Sequence, residues 1–215
     1  MVEPLEKPKN GAGVNIFILS SSLYVSFQIF ANILSTKIAF LPIINLAIDG
    51  GTIIYPLTFT LRDFVHKTHG KKDARQVIIV AALLNAVMFG LFWLVGKLPA
   101  DSSWGYQEAY NQILLPVGRI VLASIIAQVI SELIDTEIFS IVYKKTSDIR
   151  AVFSSNLVAL VFDSFIFGFI AFLGALPFST VMQIVLANIL IKLVISTLSV
   201  PTIKLVPRTA KFEDI

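Results

Sequence analysis

The chain has 215 residues, 56% hydrophobic and only 14% charged, with a formal net charge of +3 and a mean hydropathy of +0.82. Soluble domains carry about a quarter charged residues, and a water-soluble fold of this size has too much surface facing water to hide so much apolar area. Cysteine is absent, which excludes disulfides, thiolate metal sites and a cysteine nucleophile.

The pattern predicts an all-α polytopic membrane protein, a single transmembrane domain over residues 1–215 with short loops. Met1–Asn10 is polar and the apolar run after it is long enough to span, so no cleavable signal is expected. Six apolar stretches can cross ~30 Å of hydrocarbon as helices. They lie near Ile16–Thr36, Gly51–Val65, Gln76–Gly96, Leu114–Val142, Ala151–Leu173 and Phe178–Ile203. The second is short, and an apolar segment, Ile38–Ile48, precedes it. Asp49-Gly50-Gly51 breaks that segment off, which predicts a re-entrant or hairpin piece, because Gly-Gly lets the backbone turn sharply.

Orientation follows from the basic residues of the loops. Lys7, Lys9, Lys67, Lys71, Lys72, Arg75, Lys144, Lys145, Arg150, Lys204, Arg208 and Lys211 fall on one side of a six-span chain, and only Lys37 and Lys97 on the other. That bias places both termini in the cytosol. It also accounts for the pI near 9.1 as topology, with no nucleic-acid partner. A short inverted repeat links the fourth and fifth spans: Gln128 to Phe139 resembles Asn156 to Phe167, each with an amide seven residues before an aspartate. Inverted repeats are common in transporters.

Eight ionisable residues fall within the spans: Arg62, Asp63, Arg119, Glu132, Asp135, Glu137, Asp163 and Lys192. Each costs ~2.5–3.5 kcal/mol at a helix centre on insertion scales. Arg62, Asp63, Arg119 and Glu137 can snorkel to an interface; Asp135, Asp163 and Lys192 are harder to place there. Helical spacing gathers the polar groups into stripes. These are Ser21, Gln28, Asn32 and Ser35 on the first span and Ser124, Gln128, Ser131 and Asp135 on the fourth. The fifth carries Asn156 and Asp163, and the sixth Asn188, Lys192, Ser196 and Ser199. Such stripes face one another and make a polar interior. Interhelical glue explains the serines, but not the charges. Ionised together, the eight are net negative, and proton binding, ion pairing or a donor-rich substrate relieves that. Asp63, Glu132, Asp135 and Asp163 are the proton-coupling candidates.

Enzymatic chemistry finds no foothold. His66 and His69 sit in a basic loop and read as solvated, and neither HExxH, GxSxG nor a Walker A loop occurs. No metal or cofactor is called for. Gly168 and Gly174 stand at interhelical spacing and read as close packing.

Ala31-Asn32-Ile33-Leu34-Ser35-Thr36-Lys37 resembles the first-span signature of the queuosine-precursor transporter family, also called the vitamin uptake transporter family. Gly51, Pro56-Leu57-Thr58-Phe59, Asp63 and Gly70-Lys71-Lys72 with Arg75 are similar to its second span and following loop. Arg119, Asp135-Thr136, Arg150, Ser155-Asn156, Asp163-Ser164, Asn188 and Lys192 match its pattern in order. Lys67, His69 and Arg62 depart from it, standing where the family usually has an acidic, an aromatic and a small or apolar residue. The resemblance covers essentially the whole chain. It implies six spans in the cell (inner) membrane, in contact with lipid and compatible with a homo-oligomer. It also implies import of a purine-like base, 7-cyano-7-deazaguanine or its aminomethyl relative. A carboxylate accepts the paired N–H donors of such a base, and an amide serves its carbonyl. Asp135 or Asp163 would take the donors, beside Gln28, Asn32, Gln128 or Asn156, with Arg119 and Lys192 completing the substrate-binding set. An alternative is a substrate-capture subunit of an energy-coupling complex, which needs a separate ATPase.

Overall fold

The computed structural model describes residues 15–143 and 148–199; the side chains of some helical positions, Asp63, Glu132, Asp135 and Asn156 among them, lie outside that description. Helix α1 (Ile16–Leu34) begins at Asn15, whose Oδ1 accepts from the backbone N–H groups of Phe17 and Ile18 at 3.0 and 3.2 Å. This satisfies two of the orphan donors at a helix start. The chain then forms an antiparallel hairpin, β1 (Ile38–Leu41) and β2 (Leu46–Asp49), in register from Ile38 opposite Asp49 to Leu41 opposite Leu46. Asn45 closes its turn at φ 54°, a left-handed conformation that asparagine tolerates better than other side-chain-bearing residues.

The hairpin corrects the all-α expectation: the segment between the first two helices is a two-stranded sheet. Its return strand delivers Asp49 to the last turn of α1, and a 3₁₀ turn, Gly50–Ile53, follows. That turn packs so closely that a Cβ on Gly51 would stand 2.2 Å from Ser35 Oγ and 2.5 Å from the Ala31 carbonyl oxygen. Only glycine fits. The Gln183 side chain also holds the hairpin, accepting from the Ala47 N–H at 3.0 Å.

The first residues of the expected second span, Gly51–Val65, form the 3₁₀ turn, and the helix follows them. Helix α2 (Pro56–His69) starts with Pro56 at its first position, where the missing N–H would be unpaired anyway. Gly70, at φ 87°, ends it and leads into α3 (Lys71–Gly96). A short helix, α4 (Gln107–Leu114), precedes α5 (Val117–Tyr143), and α6 (Asp148–Phe172) and α7 (Phe178–Ser199) complete the order. In the loop before α4, Ser103 donates to the Asp101 carboxylate through its backbone N–H at 2.9 Å and its hydroxyl. The Ser103 bonds hold that carboxyl below the usual carboxylate range.

Among the described residues, four stretches are long and apolar enough to cross a membrane: Ile16–Leu34, Lys72–Gly96, Gln107–Ser131 and Phe178–Ile195. Leu157–Phe172 is a shorter apolar helix. Polarity runs opposite to that of a water-soluble fold. Ile79, Leu83, Val87 and Leu91 are exposed along α3, whereas Gln28, Asn32, Asp163, Asn188 and Lys192 are buried. Lipid as solvent accounts for both halves of that pattern.

Helices α5 and α6 pack along one another, and α7 packs against α6 and β2. Ile120, Ala123, Ala171, Phe172, Val181, Ile184 and Val185 make the apolar core there. Gly168 does serve close packing, since a Cβ on it would meet Val185 Cγ2 at 2.5 Å. Gly174 does not: it has open space around it and sits at φ +85° in the turn after α6.

Candidate functional site

Among the described residues, two of the cavities between the helices share Tyr55 and Asp163 in their walls. The first is enclosed by the end of α1, the 3₁₀ turn, α5, α6 and α7, with Asn32, Asp49, Thr52, Ser124, Asn188 and Lys192 in its walls. Its volume is about 20 Å³, room for about one water molecule. The second is lined by Tyr24, Gln28, Thr58, Arg62, Gln128 and Ser131.

A buried ion pair stands in the wall of the first cavity, and its carboxylate lines the second as well. Lys192 of α7 donates to Asp163 Oδ2 of α6, and the two residues are 3% and 5% exposed. The ammonium group also lies 5.1 Å from the centre of the Tyr55 ring, a cation–π contact. Ser164 and Ser131 reach the pair at 3.4 and 3.5 Å, the outer limit of hydrogen bonding. A lone charge this deep would be costly, and the opposite charge is what permits it.

The first cavity contains a second carboxylate, Asp49, which is 2% exposed. Ser35 donates to its Oδ1 at 2.6 Å, and Thr52 Oγ1 and Asn188 Nδ2 lie 2.7 and 3.1 Å from its Oδ2. The same Thr52 hydroxyl is 2.5 Å from Asn188 Oδ1. Asn32 donates to Asn85 Oδ1 at 2.7 Å, and Asn85 in turn donates to the Ala81 carbonyl at 2.9 Å. At the second cavity Gln28 and Gln128 both donate to the Tyr24 hydroxyl oxygen, at 3.2 and 3.3 Å. One oxygen with two lone pairs accepts both.

The sequence-derived set therefore divides. Asn32, Asp163 and Lys192 meet at the first cavity, and Gln28 and Gln128 face Asp163 across the second. Asp63, Glu132, Asp135 and Asn156 sit on α2, α5 and α6 with side chains outside the described residues. Arg119 does not join the cavities. It is exposed at the start of α5 and donates to the carbonyls of Ile170 and Leu173 at 2.6 and 2.5 Å. A cation belongs there, since the carbonyls at a helix C-terminus carry the negative end of its dipole.

Sequence reasoning did not place Asp49, Thr52 or Tyr55 in the site. It put Asn188 on a polar stripe without assigning it a role. The one signal for Asp49 was an aspartate amid apolar residues followed by Gly-Gly-Thr. Among the described residues no group of three or more His, Cys, Asp or Glu side chains could hold a metal ion.

A family model described as "Putative vitamin uptake transporter" matches residues 49–206. The chain belongs to this family. The match begins at Asp49 and runs past Lys192, so it takes in Asp49, at the end of β2, and Asp163 with its helix α6. As a member of the vitamin uptake transporter family the chain is a multi-pass membrane transporter and not an enzyme. Two curated relatives are each named "Probable queuosine precursor transporter". The Bacillus subtilis protein is 27% identical over 158 residues, covering 70% of this chain and 68% of the relative. The Haemophilus influenzae protein is 28% identical over 122 residues, covering 57% of this chain and 51% of the relative. The chain thus spans about half the length of the second relative. No solved structure matches it.

Proposed function

We propose that this transporter imports a queuosine precursor, 7-cyano-7-deazaguanine, 7-aminomethyl-7-deazaguanine or a related base. The observation that carries the reading is the agreement between relatives named for that cargo and a buried carboxylate–amide–lysine cavity on the matched segment. A guanine-type base offers adjacent N–H donors on one edge and acceptors beside them. Carboxylates, amides and an ammonium complement that set.

The cavity holds about one water's worth of space, so it is closed to a base and opens only when its walls part. Import is then alternating access, with Tyr55 and the Lys192–Asp163 pair as the partition between an outer and an inner chamber. The transport is secondary active and proton-coupled. Protonating Asp163 removes the anion that holds Lys192, which frees both walls at once; Asp63, Glu132 and Asp135 are further candidates for the proton path. Arg119 acts as a structural cap, not as a ligand. The chain crosses the inner membrane six times with both termini cytosolic. The basic-residue bias supports this, as do the ~21 Å rise of α2 and the ~8 Å of the 3₁₀ turn before it.

Expression in cells lacking both precursor synthesis and their own importer tests the cargo. Base supplied at low concentration restores queuosine in their tRNA if the reading is right. No restoration in well-expressing cells, beside a working control, rejects it.

A further inference from the structure

We infer that Asp49 is the carboxylate that grips the paired N–H donors of the cargo. This edge has a ring N–H beside an exocyclic amino group, as in guanine-type bases. The inference rests on the base-import reading and adds to it the residue that reads the edge.

The two buried carboxylates are in different electrostatic positions. Asp163 already has a cation, Lys192. Asp49 is as deeply buried, yet its partners Ser35, Thr52 and Asn188 are all neutral. A carboxylate in that state draws on whatever donors the cavity contents supply.

Counting protons shows that one donor is missing. Asp49 Oδ2, the Thr52 hydroxyl and the Asn188 amide form a closed triangle with sides of 2.7, 2.5 and 3.1 Å. Each side requires a proton between its two atoms. Asn188 provides one, from Nδ2 to Asp49. Thr52 has a single hydroxyl proton but two acceptors, Asp49 Oδ2 and Asn188 Oδ1. Turning the amide round does not help: its nitrogen then serves Thr52, and its oxygen faces Asp49 Oδ2 with no proton between them. In either arrangement the triangle is one donor short.

The corners of the triangle, and Ser35, which holds the other carboxylate oxygen, line the first cavity. With the carboxyl ionised, that shortage is relieved by a donor from what occupies that space. An N–H pair on one edge of a planar base meets a carboxylate side-on, with two parallel charge-assisted bonds. Its arrival lets Thr52 give its one proton to Asn188 Oδ1 and move off Asp49 Oδ2, whose second donor is then the base N–H. Ser35 is a positioning residue, since it fixes Oδ1 from the end of α1 at 2.6 Å.

The test measures affinity of the purified full chain for 7-cyano-7-deazaguanine and for the same base lacking its exocyclic amino group. Wild type should prefer the aminated base by at least about thirtyfold, the effect of one charge-assisted bond and an unsatisfied buried partner. Asp49→Asn keeps the shape but puts a donor where an acceptor is needed. It should weaken the aminated base by a similar factor and leave the other within about threefold, so that discrimination collapses. Ser35→Ala provides a second reading should Asp49→Asn fail to fold: about three- to tenfold weaker for the aminated base, unchanged for the analogue. Discrimination retained in these variants, or lost in Asp163→Asn alone, overturns the assignment while leaving base import standing. Binding that requires sodium and ignores the amino group also overturns it, by making the oxygen cluster a cation site. Wild type that binds neither base overturns the import reading and this inference together.

Discussion

Replacing Asp163 by Asn probes the partition between the cavities. Lys192 is 3% exposed and its bond to Ser164 is at the outer limit of length, so Asp163 supplies nearly all of its charge compensation. Breaking a buried pair by removing one partner costs about 3–5 kcal/mol. The Asn oxygen still accepts one bond from the ammonium, which recovers about 1 kcal/mol, and the Tyr55 ring remains 5.1 Å from the ammonium. The net loss is about 2–4 kcal/mol, roughly thirty- to a thousandfold in the folded-to-unfolded ratio. Removing Lys192 as well, in Asp163→Asn with Lys192→Met, deletes the stranded cation and should restore most of that stability. Transport should be absent from the single and the double variant alike, because the partition no longer carries its switchable pair. Thermal melting and monodispersity in detergent, with uptake in cells, separate the two effects. Asp163→Asn that melts and transports like wild type would refute the reasoning, as would a double variant no more stable than the single one.

Gly51→Ala should lower stability by several kcal/mol and abolish uptake, because its Cβ would collide with Ser35 Oγ and the Ala31 carbonyl; a normal melting curve would show that the 3₁₀ turn is not held against α1. Arg119→Ala should cost about 1–2 kcal/mol of stability through loss of the α6 cap, with base affinity unchanged. A tenfold loss of affinity in well-folded protein would return Arg119 to the binding site. For topology, a cysteine at Trp104 should react with an impermeant thiol reagent in intact cells and one at Lys71 should not. The reverse pattern would end the six-span, N-in orientation.

What the sequence made legible follows from which properties are local. Apolar length marked the helices, and the i, i+4 spacing of Asn188 and Lys192 put both on one buried face. Asp163 stood out because a carboxylate amid Phe162, Phe165 and Phe167 has no local solvation. Asp49 was not legible, because its burial is created by a hairpin that folds back onto α1 and by Asn188, 139 positions away along the chain. Read locally, Asp49-Gly50-Gly51 is an ordinary turn. Arg119 misled for a related reason. Its partners are carbonyls at the end of α6, and no side-chain pattern announces a helix terminus brought close by tertiary packing. The 3₁₀ turn was not legible either, because hydropathy counts Gly51–Ile53 as apolar whatever their backbone shape, and it is the close approach to α1 that shapes them.

The central claim is that this chain, by itself, carries a queuosine-precursor base across a membrane. Purified protein reconstituted into lipid vesicles with no other component, given radiolabelled 7-cyano-7-deazaguanine and an inward proton gradient, tests it most directly. The account predicts uptake above empty vesicles that collapses when the gradient is dissipated. Binding of the base without any accumulation, restored only by adding an ATPase partner, would contradict it and make the chain a capture subunit.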